Sequence, residues 1–498
     1  MRHARNLVRN AFVLNSDDIG RRVVSGAAYK FLGITLRTTI AIGSTAILAR
    51  LLSPADFGYV AMATVITEFA ALFGVFGFTN VLIQRRVINR LQLDTVFWAT
   101  LAVGIALGGV VFGLSFVAGR LFPYPMVEPL LRVLCLTFVL NSLTAVPEVV
   151  LSRLLRFGIE FWIQIGTVVT SAVAAVACAW AGLGAWSLVV GALAGTLAAV
   201  LLNFACVPYL PRLRFYPPLL TSTWRTSGSY FGGTALYYVS MNLDLLLIGR
   251  HLGAAPLGYY QNTRSLADMI SARIAVPIQH VLFPAFSAVH TDRERFQQLV
   301  LRAGRLLAAV VIPVGFGASA TAGELVLVLY GEQWRPMIPL MTILGLSAAI
   351  RAATVIASPL FYASDRVGLA FRYNLVGTVL LVTGVMLALP HGIDAVAIAV
   401  AVASLYSLVR FHAGLALIGL GLRHMAQVLG PPTLAALVMW LAIAGLRQVS
   451  VGWSTNPGVL LPLHVAAGAV IYLVTLHLIS RDYLQDFRQA AAMMLNRS

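Results

Sequence analysis

The 498-residue sequence returns repeatedly to apolar runs of about 20 residues, the length a helix needs to cross the hydrocarbon core of a bilayer. About fourteen such runs can be placed. They lie near 31–51, 58–80, 94–118, 128–150, 161–181, 185–206, 227–249, 257–283, 305–328, 336–358, 373–390, 394–418, 431–449 and 459–480. Only 11% of residues are charged and the mean hydropathy is +0.86, more apolar surface than a soluble core could hide. In lipid only helices and closed barrels satisfy the backbone, and runs this long and continuous read as helices. The expected fold class is therefore an all-α integral membrane protein of about 14 transmembrane helices.

Half of the chain is expected to repeat the other half. Residues 50–59 read RLLSPADFGY and residues 250–259 read RHLGAAPLGY. At an offset of 200, Arg50, Leu52, Ala55, Gly58 and Tyr59 fall on Arg250, Leu252, Ala255, Gly258 and Tyr259, and Glu68 falls on Asp268. A second echo joins IGTVV at 165–169 to VGTVL at 376–380, now at an offset of 211. Six spans separate the two copies, an even number, so the halves share one orientation. They are related by a pseudo-twofold along the membrane normal, with the substrate path expected between them. The domain plan that follows is a cytoplasmic N-terminal segment at 1–30, an N-lobe at 31–206 and a proline-rich basic linker at 207–226. A C-lobe at 227–420, two further helices within 431–480 and a cytoplasmic tail at 481–498 complete it.

Charge sets the orientation. With the N-terminus inside, cytoplasmic segments carry 24 of the 35 basic residues and outer loops carry five: Arg50, Arg120, Arg250, Arg335 and Arg447. That asymmetry places both termini in the cytoplasm. The net charge of +17 is spread over many short loops, so it implies no nucleic-acid partner. The N-terminus is too long and polar before its first apolar run for a cleaved signal peptide. Cys135, Cys178 and Cys206 lie in or beside apolar runs and read as free core thiols, with no metal spacing.

Catalytic signatures are missing. Lys30 is the only lysine and Phe31 follows it, so there is no GK[ST] phosphate loop. No HExxH, GxSxG or Asp-x-Asp occurs, and no loop is long enough to house a catalytic domain. Neither catalytic nor metal-binding residues are expected. Charged residues within the spans are costly, by about 2.5–3.5 kcal/mol each, and mark transport pathways. Arg37, Arg264, Arg273 and Arg351 are the candidates for holding an anionic head group, because guanidinium stays charged and grips phosphate through two N–H groups. Glu68 and Asp268, at equivalent depth in the two halves, are the candidates for ion coupling by H+ or Na+. Arg264 and Asp268 share a helix face at i, i+4.

The stretches ARLLSPADFGYVAMA, SRLLRFGIEFW and MNLDLLLIGRHLGAAPLGYYQNTRSL, in this order and spacing, resemble the polysaccharide flippases. These are the Wzx-type and exopolysaccharide-transport members of the multidrug/oligosaccharidyl-lipid/polysaccharide superfamily. The resemblance covers roughly residues 25–480. It implies two six-helix lobes arranged in a V, plus two C-terminal helices, working by alternating access. It further implies a non-enzymatic exporter of polyprenyl-pyrophosphate-linked oligosaccharide repeat units across the bacterial inner membrane, for surface or exopolysaccharide biosynthesis. The implied partners are that lipid-linked substrate, membrane lipids and a polysaccharide polymerase, and no cofactor is implied. A lipid II flippase or a MATE-type drug exporter would share the fold and stays open as an alternative, as does, less favoured, a membrane-embedded polymerase or glycosyltransferase.

Overall fold

A computed structural model describes residues 16–73, 88–207, 209–218, 241–270, 292–450 and 456–480, with residues 82, 238, 275, 278, 282, 286 and 483. Among these there is no strand. The first helices are α1 (Ser16–Leu51), α2 (Pro54–Leu72), α3 (Arg90–Leu121), α4 (Val127–Leu134), α5 (Leu136–Arg153), α6 (Phe157–Trp180) and α7 (Trp186–Cys206). Then come α8 (Ala254–Ile270), α9 (Arg293–Ala320), α10 (Ala322–Leu329), α11 (Met337–Ala353), α12 (Ala357–Ala363), α13 (Val367–Ala388), α14 (Ile393–Leu417), α15 (Leu422–Ser450) and α16 (Pro457–Ile479). Twelve spans among the described residues are long and apolar enough to cross a membrane. They overlap twelve of the fourteen expected, with ends shifted by up to 12 residues where the expected 305–328 is found as Arg293–Ala320. The other two expected spans, 227–249 and 257–283, fall partly outside the described residues.

Burial is inverted relative to a soluble protein. Trp180 is 81% exposed and Leu387 70%, on helices with almost no polar face. Such a surface is stable only against hydrocarbon, which is why Cys206 is exposed and Cys178 half-exposed, while Cys135 alone of the three lies in the protein interior. All three are free thiols, as expected.

The chain divides into two compact units, Met1–Ala255 and Pro256–Ser498. Inside the first, α3 packs on α5, α5 on α7 and α6 on α7. Inside the second, α9 packs on α11, α11 on α14 and α13 on α14, the same order of pairing. The sequence offset of 211 reappears in atomic detail. A Cβ on Gly104 would lie 2.7 Å from the Phe138 carbonyl, and one on Gly315 would lie 2.6 Å from the Ala349 Cβ. Adding 211 to 104 and 138 gives 315 and 349. Small residues let these helices approach closely, as packing in a bilayer demands.

The repeated motif is a helix break with a different device in each copy. In the first, Ser53 caps α2: its Oγ accepts from the Asp56 N–H at 3.3 Å, and the Asp56 carboxylate accepts from the Ser53 N–H at 2.9 Å. Pro54 follows at the first helical position, where its missing N–H costs nothing. In the second copy the helix at 241–251 ends on Gly253, whose φ of +97° is open to glycine and strained for other residues. The phenol of Tyr124 lies over Gly253. The proline-rich linker is strapped to α3: Tyr209 donates to Asp94 Oδ1 at 3.1 Å and Trp98 Nε1 donates to the Arg212 carbonyl at 2.8 Å.

Within the first unit, a side chain on Gly58 would collide with the Ala254 backbone. The neighbour is main chain and cannot swing aside. Gly58→Ala should therefore lower stability by about 1–3 kcal/mol. Gly109→Ala, with nothing within 4 Å, is the control and should be neutral or mildly stabilising. Thermal unfolding of both variants in detergent checks this, and equal midpoints would refute the tight crossing.

Candidate functional site

In the second unit, Asp268 on α8 lies between two arginines. Arg264, one turn back on the same helix, places its Nε 3.3 Å from Asp268 Oδ2. Arg351, from the last turn of α11, places an Nη 2.6 Å from Asp268 Oδ1. The second Nη of Arg351 donates to Ser347 Oγ at 3.1 Å, while the Ser347 hydroxyl donates to the Leu344 carbonyl at 3.0 Å. The carboxylate thus orders both guanidiniums, and Ser347 fixes the rotation of one of them. The cluster as described holds two guanidiniums and one carboxylate. The side chains are partly accessible, 17% for Arg264, 31% for Arg351 and 39% for Asp268, so a ligand can reach them. Arg273, the fourth predicted arginine, lies outside the described residues.

In the first unit, Arg37 on α1 lines a polar cavity of about 310 Å³. Its walls include Glu148 from α5, Glu160, Gln164 and Thr167 from α6, and Asn203 from α7. Gln164 donates to Glu160 Oε1 at 3.3 Å. Arg37 thus shares its space with two carboxylates that the sequence reading did not single out. Both sit within two turns of a helix end, where a charge reads as a span boundary. The signal that could have found them is that each lies inward of the loop arginines Arg153 and Arg156.

Glu68 on α2 is exposed, and the phenol of Tyr238 lies 3.1 Å from its Oε2 and 3.2 Å from the Val65 carbonyl. Its sequence counterpart Asp268 has arginines for partners. The two expected coupling carboxylates therefore have different surroundings.

A larger cavity of about 860 Å³ lies between α9, α15 and α16. Aliphatic groups such as Pro313, Val314, Met439, Ile443 and Val465 dominate its wall, so it cannot solvate a charged head group. Beside it, buried Glu324 accepts from Arg447 Nε at 3.2 Å, and His464 Nδ1 lies 3.6 Å away.

Charge clusters set inside apolar helices, in a chain whose two units repeat one helix-packing order, define the class: a multi-pass membrane transporter built by duplication. The particular family follows from comparison. The chain belongs to the family described as "Polysaccharide biosynthesis protein", whose profile matches residues 47–339. It is 26% identical to the lipopolysaccharide biosynthesis protein WzxC of Escherichia coli over 378 residues, 74% of this chain and 75% of that one. It is 30% identical to the succinoglycan biosynthesis transport protein ExoT of Rhizobium meliloti, over 61% of this chain and 62% of that one. The teichuronic acid biosynthesis protein TuaB of Bacillus subtilis is 24% identical over 92% of this chain and 96% of its own. Among solved structures, the lipid II flippase MurJ in an inward closed conformation aligns at a TM-score of 0.71 and 13% identity. That match covers 93% of this chain and all of that one. An inward-facing multidrug resistance MATE family transporter of the MOP superfamily aligns at 0.61 and 15% identity, over 77% of this chain and 94% of that one. At these identities the likeness to solved structures is one of fold.

The geometry around Asp268 yields an energetic expectation. Asp268→Asn keeps the shape and removes the charge that holds two guanidiniums together, so it should destabilise by about 1–3 kcal/mol. Removing Arg351 as well should recover part of that loss, since the two residues share one interaction and their effects cannot add. A double-mutant cycle on Asp268→Asn and Arg351→Met, read by thermal unfolding, makes the check. Strict additivity would show the pair to be uncoupled.

Proposed function

We propose that the protein is an exporter that carries a polyprenyl-pyrophosphate-linked oligosaccharide repeat unit across the bacterial inner membrane by alternating access. It serves surface or exopolysaccharide biosynthesis and performs no covalent chemistry. Family membership supports the class of substrate. The observation that carries the head-group assignment is the Arg264–Asp268–Arg351 cluster. A lone arginine inside a span has no counterion and is expensive. Here Asp268 offsets that cost, and Arg351 keeps N–H donors beyond those given to Asp268 and Ser347 that an anion can take. Pyrophosphate matches the charge and the planar fork of guanidinium. Arg273 completes the anion-binding set. Arg37 belongs to it less directly, because Glu148 and Glu160 repel an anion from the same cavity. The lipid tail stays in the bilayer while the head group moves. The partners are the lipid-linked substrate, membrane lipids and a polysaccharide polymerase that consumes the exported unit.

The repeating lobes of the proposal are 31–206 and 227–420. Both termini are cytoplasmic, as are the basic loops between spans four and five and at 207–226. Reporter fusions after Arg156 and Asn456 should give cytoplasmic and periplasmic signals respectively. The reverse result at either site would overturn the orientation.

Polymer export in a strain lacking the native protein tests the head-group assignment. Arg351→Ala and Arg264→Ala should each lower export about ten-fold or more, equivalent to about 1.4 kcal/mol of lost interaction. Lysine at either position keeps the charge, loses the fork, and should retain intermediate activity. Normal export by alanine variants present at wild-type levels in the membrane would exclude the cluster as the head-group site.

A further inference from the structure

The segment that follows α7 presents an apolar and basic edge. Pro208, Pro211, Pro217 and Pro218 crowd this stretch. Proline has no N–H to give a helix and fixes its own φ. Residues 209–216 accordingly form no helix and take their hydrogen bonds from α3. At the offset of 211 the segment falls on 420–429, which holds no proline and enters α15 at Leu422. The strap is thus particular to the first half.

The bonds fix which way its side chains face. Besides the Tyr209 and Trp98 bonds, Arg90 Nη2 donates to the Leu210 carbonyl at 3.1 Å. The Arg212 N–H donates to Asp94 Oδ1 at 3.3 Å, and the Tyr216 N–H donates to Thr95 Oγ1 at 3.1 Å. With the backbone pinned at 212 and 216, the residues between cannot fold back onto the bundle. Leu213 is 88% exposed and Leu210 68%, and Phe215 and Tyr216 are exposed as well. Arg212 and Arg214 alternate with them and are also exposed. The carboxylate that the strap touches, Asp94, is fully buried beneath it, so it does not offset that charge at the surface.

Helix length fixes the depth. The 32 residues of α3 extend about 48 Å, against about 30 Å of hydrocarbon, so its ends project into the headgroup region. The groups of α3 that hold the strap, Arg90, Asp94, Thr95 and Trp98, all lie in the first turns at one of those ends. Tryptophan, with an apolar ring and one N–H donor, is the residue type that favours this depth.

We propose that residues 210–216 are an interfacial anchor for anionic phospholipid. Leu210, Leu213, Phe215 and Tyr216 enter the boundary between headgroups and acyl chains, while Arg212 and Arg214 pair with lipid phosphates. Apolar side chains alone would suit any lipid or an apolar protein surface. The interleaved arginines select an anionic surface, and the depth makes that surface the bilayer's own. In the orientation proposed above this is the cytoplasmic leaflet. The anchor sets the depth of the end of α3 and of the point where the chain leaves α7.

The test places p-benzoylphenylalanine at position 213 of the full chain. Nanodiscs are made of phosphatidylcholine, with and without phosphatidylglycerol, and photo-adducts are read by mass spectrometry. Both leaflets of a nanodisc have the same lipids, so the result does not depend on the orientation or the cargo proposed above. Lipid adducts should form in both discs. In the mixed disc the ratio of phosphatidylglycerol to phosphatidylcholine adducts should exceed the ratio of the lipids supplied. Arg212→Gln and Arg214→Gln should each lower that ratio about five-fold, equivalent to about 1 kcal/mol per arginine, while total lipid adducts persist. Added salt should lower it in the same direction. Absence of lipid adducts, or adducts only to protein, would overturn the proposal. So would a ratio equal to that supplied, or one that both glutamine variants leave unchanged.

Discussion

Each peptide N–H and C=O that enters hydrocarbon must be satisfied within the protein, at a cost of several kcal/mol where it is not. The rest of this architecture follows from that constraint. It forces helices, and it also decides what polar side chains do. Thr38, Thr167, Thr196, Thr378 and Thr433 all return their hydroxyls to the carbonyl four residues back on their own helix. Hydroxyls satisfied in this way cost little and say nothing about function. The groups that cannot be satisfied locally must find partners on other helices, as Arg351 does on Asp268 and Arg410 does on Asn374 at 2.7 Å. Those bonds carry the information. Outside the spans the same chemistry has little weight. Arg335 hydrogen-bonds Glu332 and holds its carboxyl below the usual carboxylate range, yet both are fully solvated.

The two C-terminal helices that the repeat does not explain are fastened to the second unit by bonds of this informative kind. The Tyr472 phenol on α16 donates to the Ala309 carbonyl at 2.9 Å. Trp440 on α15 donates to Ser319 Oγ at 3.2 Å, and the Ser319 hydroxyl donates in turn to the Thr342 carbonyl at 2.8 Å. Glu324 receives Arg447. Because α15 and α16 also wall the large aliphatic cavity, these polar bonds set the spacing of an otherwise smooth apolar surface, where side-chain packing alone would allow sliding.

What the sequence discloses is what local chemistry dictates. Span positions follow from runs of apolar residues, so twelve of them can be read from the sequence, although the ends shift, as where the expected 305–328 is found as Arg293–Ala320. The capping box at Ser53 and Asp56 needs only four consecutive residues. The duplication is legible because five positions of one motif survive at a fixed offset. Arg264 with Asp268 is legible because i, i+4 lies on one helix face. Arg351 with Asp268 is not, since 83 residues separate them and no periodicity links helices that meet only in the folded chain. Glu148 and Glu160 are harder still. A carboxylate near a helix end is ordinary in sequence, and only the folded bundle shows that α1, α5, α6 and α7 close a cavity around both. Asn203 gives no sequence signal, because an amide in an apolar run matters only when one end is left without a partner.

The duplicated plan sharpens the contrast between the halves. The helix pairing is conserved between units while the charges are not. At the offset of 200, Arg264 and Asp268 fall on Thr64 and Glu68; at 211, Arg351 falls on Leu140. The first half therefore lacks both arginines of the cationic cluster, just as the second half lacks the carboxylates and amide of the anionic cavity. Each half thus builds the same helix pairing without the other's charged set. In the proposed function the arginines of the second unit meet an anionic head group, and the first unit offers no equivalent at the matching positions.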